Sequence, residues 1–437
     1  MIPRKYVAIF AMLVSCFALW GLLNNMTDNL VPAFQRIFGT TQSTAGFVQI
    51  SFYGAYSVVA IFASLLIQKR GYRSGVLVGL GVYCIGALLY VPACVAESFW
   101  TYIVGIFIVA AGCAVLETTC NPYVLALGDE ATAVRRLNFA QMFNPLGSIT
   151  GILLAQQLIL THIDAPKKVA LMWVCVPYVG LCIIAGAIWL FFFLSKPTDA
   201  DKAEVETTSI KEVLSILAHS PKWYLGVIAQ CFYVGVQIAA WTWMNVYCQK
   251  ELGVTAATAA SYYLIAIGTF IVCRWIATFC MKYVDPAKLM AVFATAAIIC
   301  TAGVMYIPTK VLFTIGNMPF SLNVICLVLM SGCMSLMFPT IYGIALGGID
   351  PKAHKLGAAG LIMAIIGGAL LTPWMAQIIG NPTSLWCKLT PMFNTAFDEA
   401  LKLTQASLRA AFIVPAICFA VVLVYALMFT TKKSNQE

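Results

Sequence analysis

Charge is what this chain most lacks. Of its 437 residues only 10% are charged and 61% are hydrophobic, whereas soluble domains carry about a quarter charged residues. That balance excludes an ordinary water-solvated fold. Histidine is scarcer still. His162, His219 and His354 fall far apart in expected loops and offer no shared metal site. The 16 cysteines are numerous, but none form a C-x-x-C pair. They read as small apolar helix residues rather than a disulfide or zinc framework. The apolar stretches contain no arginine pair to grip a phosphate or carboxylate, so a neutral cargo fits better than an anionic one. No cofactor is expected.

What is abundant is the long apolar run. Stretches of about 20 apolar residues cross a hydrocarbon core of roughly 30 Å, and about twelve fit this chain. They lie near 6–36, 44–68, 74–94, 99–128, 137–161, 169–194, 222–249, 256–281, 287–308, 320–348, 354–380 and 405–430. Runs of this length do not alternate as barrel strands do, so helices are the expected form. Arg4 and Lys5 precede the first run as in a signal peptide. That run, however, continues into Asn24, Asn25 and Asp28 without a small-residue cleavage site, and is expected to stay as the first span. Most basic residues, among them Arg4, Lys69, Arg70, Arg73, Arg135, Arg136, Lys282, Lys352, Lys355 and Lys432, fall on one side of this topology. The positive-inside bias then places both termini in the cytoplasm. It also accounts for the net charge of +9 without a nucleic acid partner.

A charged interruption at 196–221 separates a six-span half, 1–195, from a second, 222–437. Gly112, Cys113 and Leu116 in the fourth span recur as Gly332, Cys333 and Leu336 in the tenth. The starts Arg136-Leu137 and Lys355-Leu356 follow at nearly the same offset. A constant offset across neighbouring spans argues for internal duplication. Two such halves with a substrate held between them is the plan of alternating-access carriers. A polar external insertion at 381–404, with Phe393, Phe397 and Leu401 at helical spacing, reads as a surface helix.

Within this apolar background two acids stand out, Asp28 and Glu117. A charge at mid-bilayer costs roughly 2.5 to 3.5 kcal/mol even on the lenient insertion scale. Asn24 and Asp28 lie four apart on one helix face with Asn25 beside them, and Glu117 and Asn121 repeat the spacing. In the fifth span Asn138, Gln141 and Asn144 step by three, while Gly147, Gly151 and Ala155 step by four and offer a close helix contact. An interhelical hydrogen bond explains an isolated amide, but this density exceeds what packing requires. Amides donate and accept at once, as sugar hydroxyls do. In the seventh span Gln237 and Trp241 share a face, and an aromatic ring packs on the apolar face of a pyranose. Arg274 is read as the only strong cation within a span, reaching either carbonyls at an inner gate or a cavity carboxylate.

The segments Asn24-Asn25-Met26-Thr27-Asp28, Leu116-Glu117-Thr118-Thr119-Cys120-Asn121-Pro122-Tyr123 and Arg136 to Asn144 closely resemble the fucose:proton symporter family of the major facilitator superfamily. Ala229 to Gln237 does so too. The likeness runs through nearly the whole chain. It implies an all-α membrane protein of twelve transmembrane helices in two pseudo-symmetric halves, a monomer in a bacterial cytoplasmic membrane. It further implies Asp28 and Glu117 as the protonatable pair and Gln141 and Asn144 as sugar-cavity residues. Thr119-Cys120, where small residues are usual, and the 381–404 insertion depart from the pattern and bear on substrate choice. L-fucose is the expected cargo, with glucose, galactose or N-acetylglucosamine as alternatives. Sodium coupling through carboxylates and amides is the rival mechanism. An intramembrane acid/base enzyme lacks a nucleophile or metal set, and a sugar sensor without transport is the remaining alternative.

Overall fold

The structure, a computed structural model, describes residues 2–45, 47–195, 210–380 and 407–430. The 381–404 insertion lies outside the described residues. Among the described residues, eleven helices are long and apolar enough to cross a membrane. One of them, Phe47–Val95, has 49 residues, about twice what one crossing needs at 1.5 Å per residue. Inside it Gly71 takes φ 77° and ψ 171°, a conformation open essentially to glycine alone. Two helices meet at that kink, and the stretches on either side of Gly71 are each long enough for the expected second and third spans.

The main helices are α1 (Val7–Asp28), α2 (Phe47–Leu88), α3 (Phe99–Ala126), α4 (Ala133–Gln141), α5 (Phe143–Leu154), α6 (Lys167–Ser195) and α7 (Ile210–Ala218). After them come α8 (Pro221–Leu252), α9 (Ala256–Cys280), α10 (Pro286–Tyr306), α11 (Leu322–Met334), α12 (Met337–Leu346), α13 (Pro351–Met363), α14 (Gly367–Gly380) and α15 (Ile413–Met428). Starts follow local chemistry. Ser98 caps α3, Thr255 caps α9, and Asp285 accepts from the Ala287 and Lys288 amides ahead of Pro286. A small hairpin, β1 (Val311–Ile315) with β2 (Met318–Ser321), joins α10 to α11. Its β-branched run and Gly316-Asn317 turn suit two strands, an element the helical expectation did not include.

Several spans expected to be continuous are broken, the first at Asn29 and the third at Leu89 among them. The fifth divides at Met142, the tenth at Ser335–Leu336, and the eleventh passes through a 3-10 turn at Ala364–Ile366. Proline explains two of the breaks. Pro145 lacks the N–H that would bond the Gln141 carbonyl, and Pro339 lacks the one for Ser335. The expected loop position of His354 is also corrected, since it lies within α13.

The chain forms two compact units, Met1–Trp223 with Leu346–Met363, and Tyr224–Ala345 with Ala364–Glu437. In the first, α7 and α13 share a small apolar core of Val213, Leu217, Ile349 and Ala353. The Trp223 indole donates to the Gly357 carbonyl at 2.9 Å. Lys355 lies 5.4 Å above the Tyr72 ring, which stacks on Tyr123 at 5.1 Å. The glycine seam of α5 packs on α1 so closely that a Cβ at Gly147 or Gly151 would strike the Ala18 or Leu22 carbonyl.

Candidate functional site

In the first unit the middle of α3 is sealed on every side. Residues 109–124 are all buried, Glu117 at 7% exposure and Asn121 at 0%. Asn121 Nδ2 donates to the Glu117 backbone carbonyl at 2.8 Å, which turns its Oδ1 outward to accept from Gln141 Nε2, also at 2.8 Å. Gln141 closes α4 at the break before Pro145. A helix that stops in mid-membrane leaves polar backbone exposed, and such breaks mark cargo sites in transporters. Asn121 and Gln141 thus form a bonded pair of amides held to the Glu117 backbone, one helical turn from its carboxyl.

Asn144, one turn further on, donates from Nδ2 to the Phe17 carbonyl at 3.3 Å and touches α1 where Gly21 permits close approach. On α1, Asn25 Nδ2 bonds the Gly21 carbonyl at 3.2 Å, while Asn24 Oδ1 is buried without a hydrogen-bond partner. Asp28 ends α1 with its side chain accessible. Its neighbour Thr27 bonds the Tyr178 hydroxyl of α6 at 3.0 Å, and Tyr178 stacks on Tyr90 at 3.8 Å. Asp28 and Glu117 therefore belong to the same unit but to different settings, one open and one enclosed, with no direct bond between them among the described residues. An apolar cleft of 320 Å³, lined by Val91, Cys94, Val95, Met172, Cys175, Val176 and Val179, contains none of these polar groups.

In the second unit Gln237 is half-buried on α8. Trp241 uses its indole N–H on Ser331 Oγ at 3.0 Å and packs against Tyr263 and Phe270. Arg274 is buried, its guanidinium 4.6 Å from the Phe270 ring, and Nε donates to the Ser335 carbonyl. That carbonyl is the one Pro339 releases, so the arginine answers a local helix defect.

Arg274 is not the sole arginine in the spans, and the expectation is corrected. Arg136 is fully buried, with its guanidinium donating to the carbonyls of Val124, Leu125 and Asp129 and to Thr132 Oγ1. It satisfies the open carbonyl end of α3. Arg409, at the start of the last span, pairs with Glu251. Sequence reasoning also passed over Gln230, whose side-chain amide is fully buried with neither end bonded, and Tyr56 beside Glu117. Their one signal was polarity inside an apolar run, which a tyrosine scarcely gives. Among the described residues no group of His, Cys, Asp and Glu is placed to hold a metal.

The model of the Major Facilitator Superfamily matches residues 6–373. The L-fucose-proton symporter of Haemophilus influenzae is 38% identical, with 97% of each chain covered. The L-fucose-proton symporter of Escherichia coli is 32% identical over 97% of this chain and 93% of its own. The crystal structure of the E. coli fucose:proton symporter, FucP, superposes with a TM-score of 0.80 at 30% identity, covering 98% of this chain and 100% of that one.

Proposed function

The chain belongs to the major facilitator superfamily, and from that membership we infer that it imports L-fucose together with a proton by alternating access. The symporters named above carry fucose with protons. The observation in this molecule that bears most weight is the buried group of Glu117, Asn121 and Gln141, in which an acid lies one helical turn from an amide whose oxygen accepts from a second amide on the next helix.

The cluster suits the task. A carboxyl enclosed without a counter-charge is least costly when it carries a proton, so proton uptake and loss at Glu117 alternates a neutral state with a charged one. Asp28, accessible at the end of α1, is the group in this unit that exchanges protons with water. In the first unit Asn24, Asn25, Asn121, Gln141 and Asn144 supply donors and acceptors suited to sugar hydroxyls; taken by itself, the second unit offers the Gln237 amide and the Trp241 ring, which suit hydroxyls and ring carbons. Arg274 acts at a gate. A proton crossing inward gains about 2.3 kcal/mol per 100 mV, enough for roughly fifty-fold accumulation of a neutral sugar. One proton per sugar suffices. Both termini lie in the cytoplasm, and the protein resides in a bacterial inner membrane.

Proteoliposomes test this. An imposed pH gradient, acid outside, drives labelled L-fucose uptake that a protonophore abolishes, whereas a sodium gradient at fixed pH drives none. Uptake that follows sodium alone overturns proton coupling. Stronger competition by unlabelled glucose, galactose or N-acetylglucosamine than by fucose overturns the choice of sugar.

A further inference from the structure

Tyr56 lies on α2 with 2% exposure, and its ring is held at 5.5 Å from Phe52. Its hydroxyl is buried and makes no well-formed hydrogen bond. A buried hydroxyl without a partner is costly and calls for a reason. Its polar neighbours on α3 are the Glu117 carboxyl and the Cys113 thiol, which sit four residues apart on one helix face. The remaining titratable groups around them are Cys120 on α3, Cys16 on α1, and Tyr53 and Tyr83 on α2, Tyr83 lying beside Cys113.

An ionised carboxylate only accepts hydrogen bonds, whereas a protonated one has an O–H of its own to place. A phenol serves both states because its hydroxyl hydrogen rotates. We propose that Tyr56 is a positioning residue for the proton-carrying step. Its O–H donates to Glu117 when the carboxyl is ionised, and turns toward the Cys113 sulfur when Glu117 holds the proton, leaving its oxygen free to accept from the acid. The hydroxyl thereby fixes where the carboxyl points in each half of the cycle. The inference rests on Glu117 being the proton carrier.

Tyr56→Phe removes only the hydroxyl. Tyr83, beyond Gly71 in α2 and likewise buried with an unbonded hydroxyl, has Cys113 but not Glu117 among its neighbours and supplies the control Tyr83→Phe. In proteoliposomes, proton-driven fucose uptake by Tyr56→Phe falls about tenfold, in the range set by one charge-assisted hydrogen bond, and its pH profile moves. Sugar counterflow, which needs no net proton release, stays within about twofold of the parent. Tyr83→Phe matches the parent in both assays. In a Glu117→Gln background, Tyr56→Phe adds no further loss. Unchanged uptake and pH profile in Tyr56→Phe, equal loss of counterflow, or the same defect in Tyr83→Phe overturns the proposal. If Glu117→Gln keeps full proton-driven uptake, the premise about Glu117 fails instead. Should the phenylalanine variant not fold, infrared difference spectra of the parent decide. The protonated-carboxyl band lost in Glu117→Gln is expected at a hydrogen-bonded frequency, and a band at the free-acid frequency refutes the contact.

Discussion

At the residue scale, the two acids differ in surroundings more than in chemistry. Glu117 is enclosed, its backbone tied to Asn121 and through it to Gln141, whereas Asp28 stands accessible at a helix end. Neutral isosteres separate their parts in the cycle. Glu117→Gln is expected to lower proton-driven uptake at least tenfold while counterflow persists, because an amide replaces the acid without asking for a proton. Asp28→Asn, in open surroundings, is expected to slow net uptake and spare fucose affinity. Parallel measurements of uptake, counterflow and binding check both. If both variants still take up protons with sugar at the parent rate, these residues do not carry the coupling. The acids and amides were visible in the sequence because lipid makes polar groups rare. Tyr56 and Arg409 were not singled out. A phenol does not stand out in a membrane helix, and an arginine near a span's end reads as interfacial.

At the element scale, close helix approach and helix breaks decide where those groups sit. Gly147→Ala would push a methyl into the Ala18 carbonyl of α1. Overpacking of this kind costs about 1–3 kcal/mol, so the apparent melting temperature in detergent is expected to drop, with uptake falling as α5 is displaced. Gly71→Ala, at φ 77°, is expected to cost about 1–3 kcal/mol because the kink between the second and third spans tolerates no side chain. The glycine spacing of α5 was legible in the sequence as a contact seam. The breaks at Met142 and Ser335 were not read, although their cause, a proline four residues beyond a carbonyl, is local. Apolar composition continues through a break unchanged, so hydropathy does not register it.

At the scale of the whole molecule, the second unit is pinned by a buried ion pair that no motif announced. Arg409 Nε donates to Glu251 Oε1 at 2.7 Å, a second guanidinium nitrogen bonds Oε2, and Thr309, Asn323 and Tyr247 complete the network. It joins the end of α8 to the residues after α10, the start of α11 and the start of the last span, positions as far as 158 residues apart. Removing one partner leaves a buried charge unpaired and typically costs about 3–5 kcal/mol. Glu251→Gln and Arg409→Met are each expected to lower thermal stability sharply. Combining Glu251→Leu with Arg409→Met is expected to recover much of the loss. A thermal-shift series checks this, and additive losses in the double variant would show that the pair does not act as a unit.

The sequence by itself determined the membrane as solvent, the helical class, the number of crossings to within one turn, and the handful of polar residues worth keeping in lipid. Each of these follows from transfer free energies that depend on composition and length alone. Tertiary structure decided the rest: that Glu117 is enclosed while Asp28 is open, that Arg274 answers a carbonyl rather than a carboxylate, that Glu251 finds Arg409, and that a tyrosine stands beside the buried acid. Those outcomes depend on which helix faces meet and where a helix breaks. Partners so distant in the chain are set by packing, which no periodicity records.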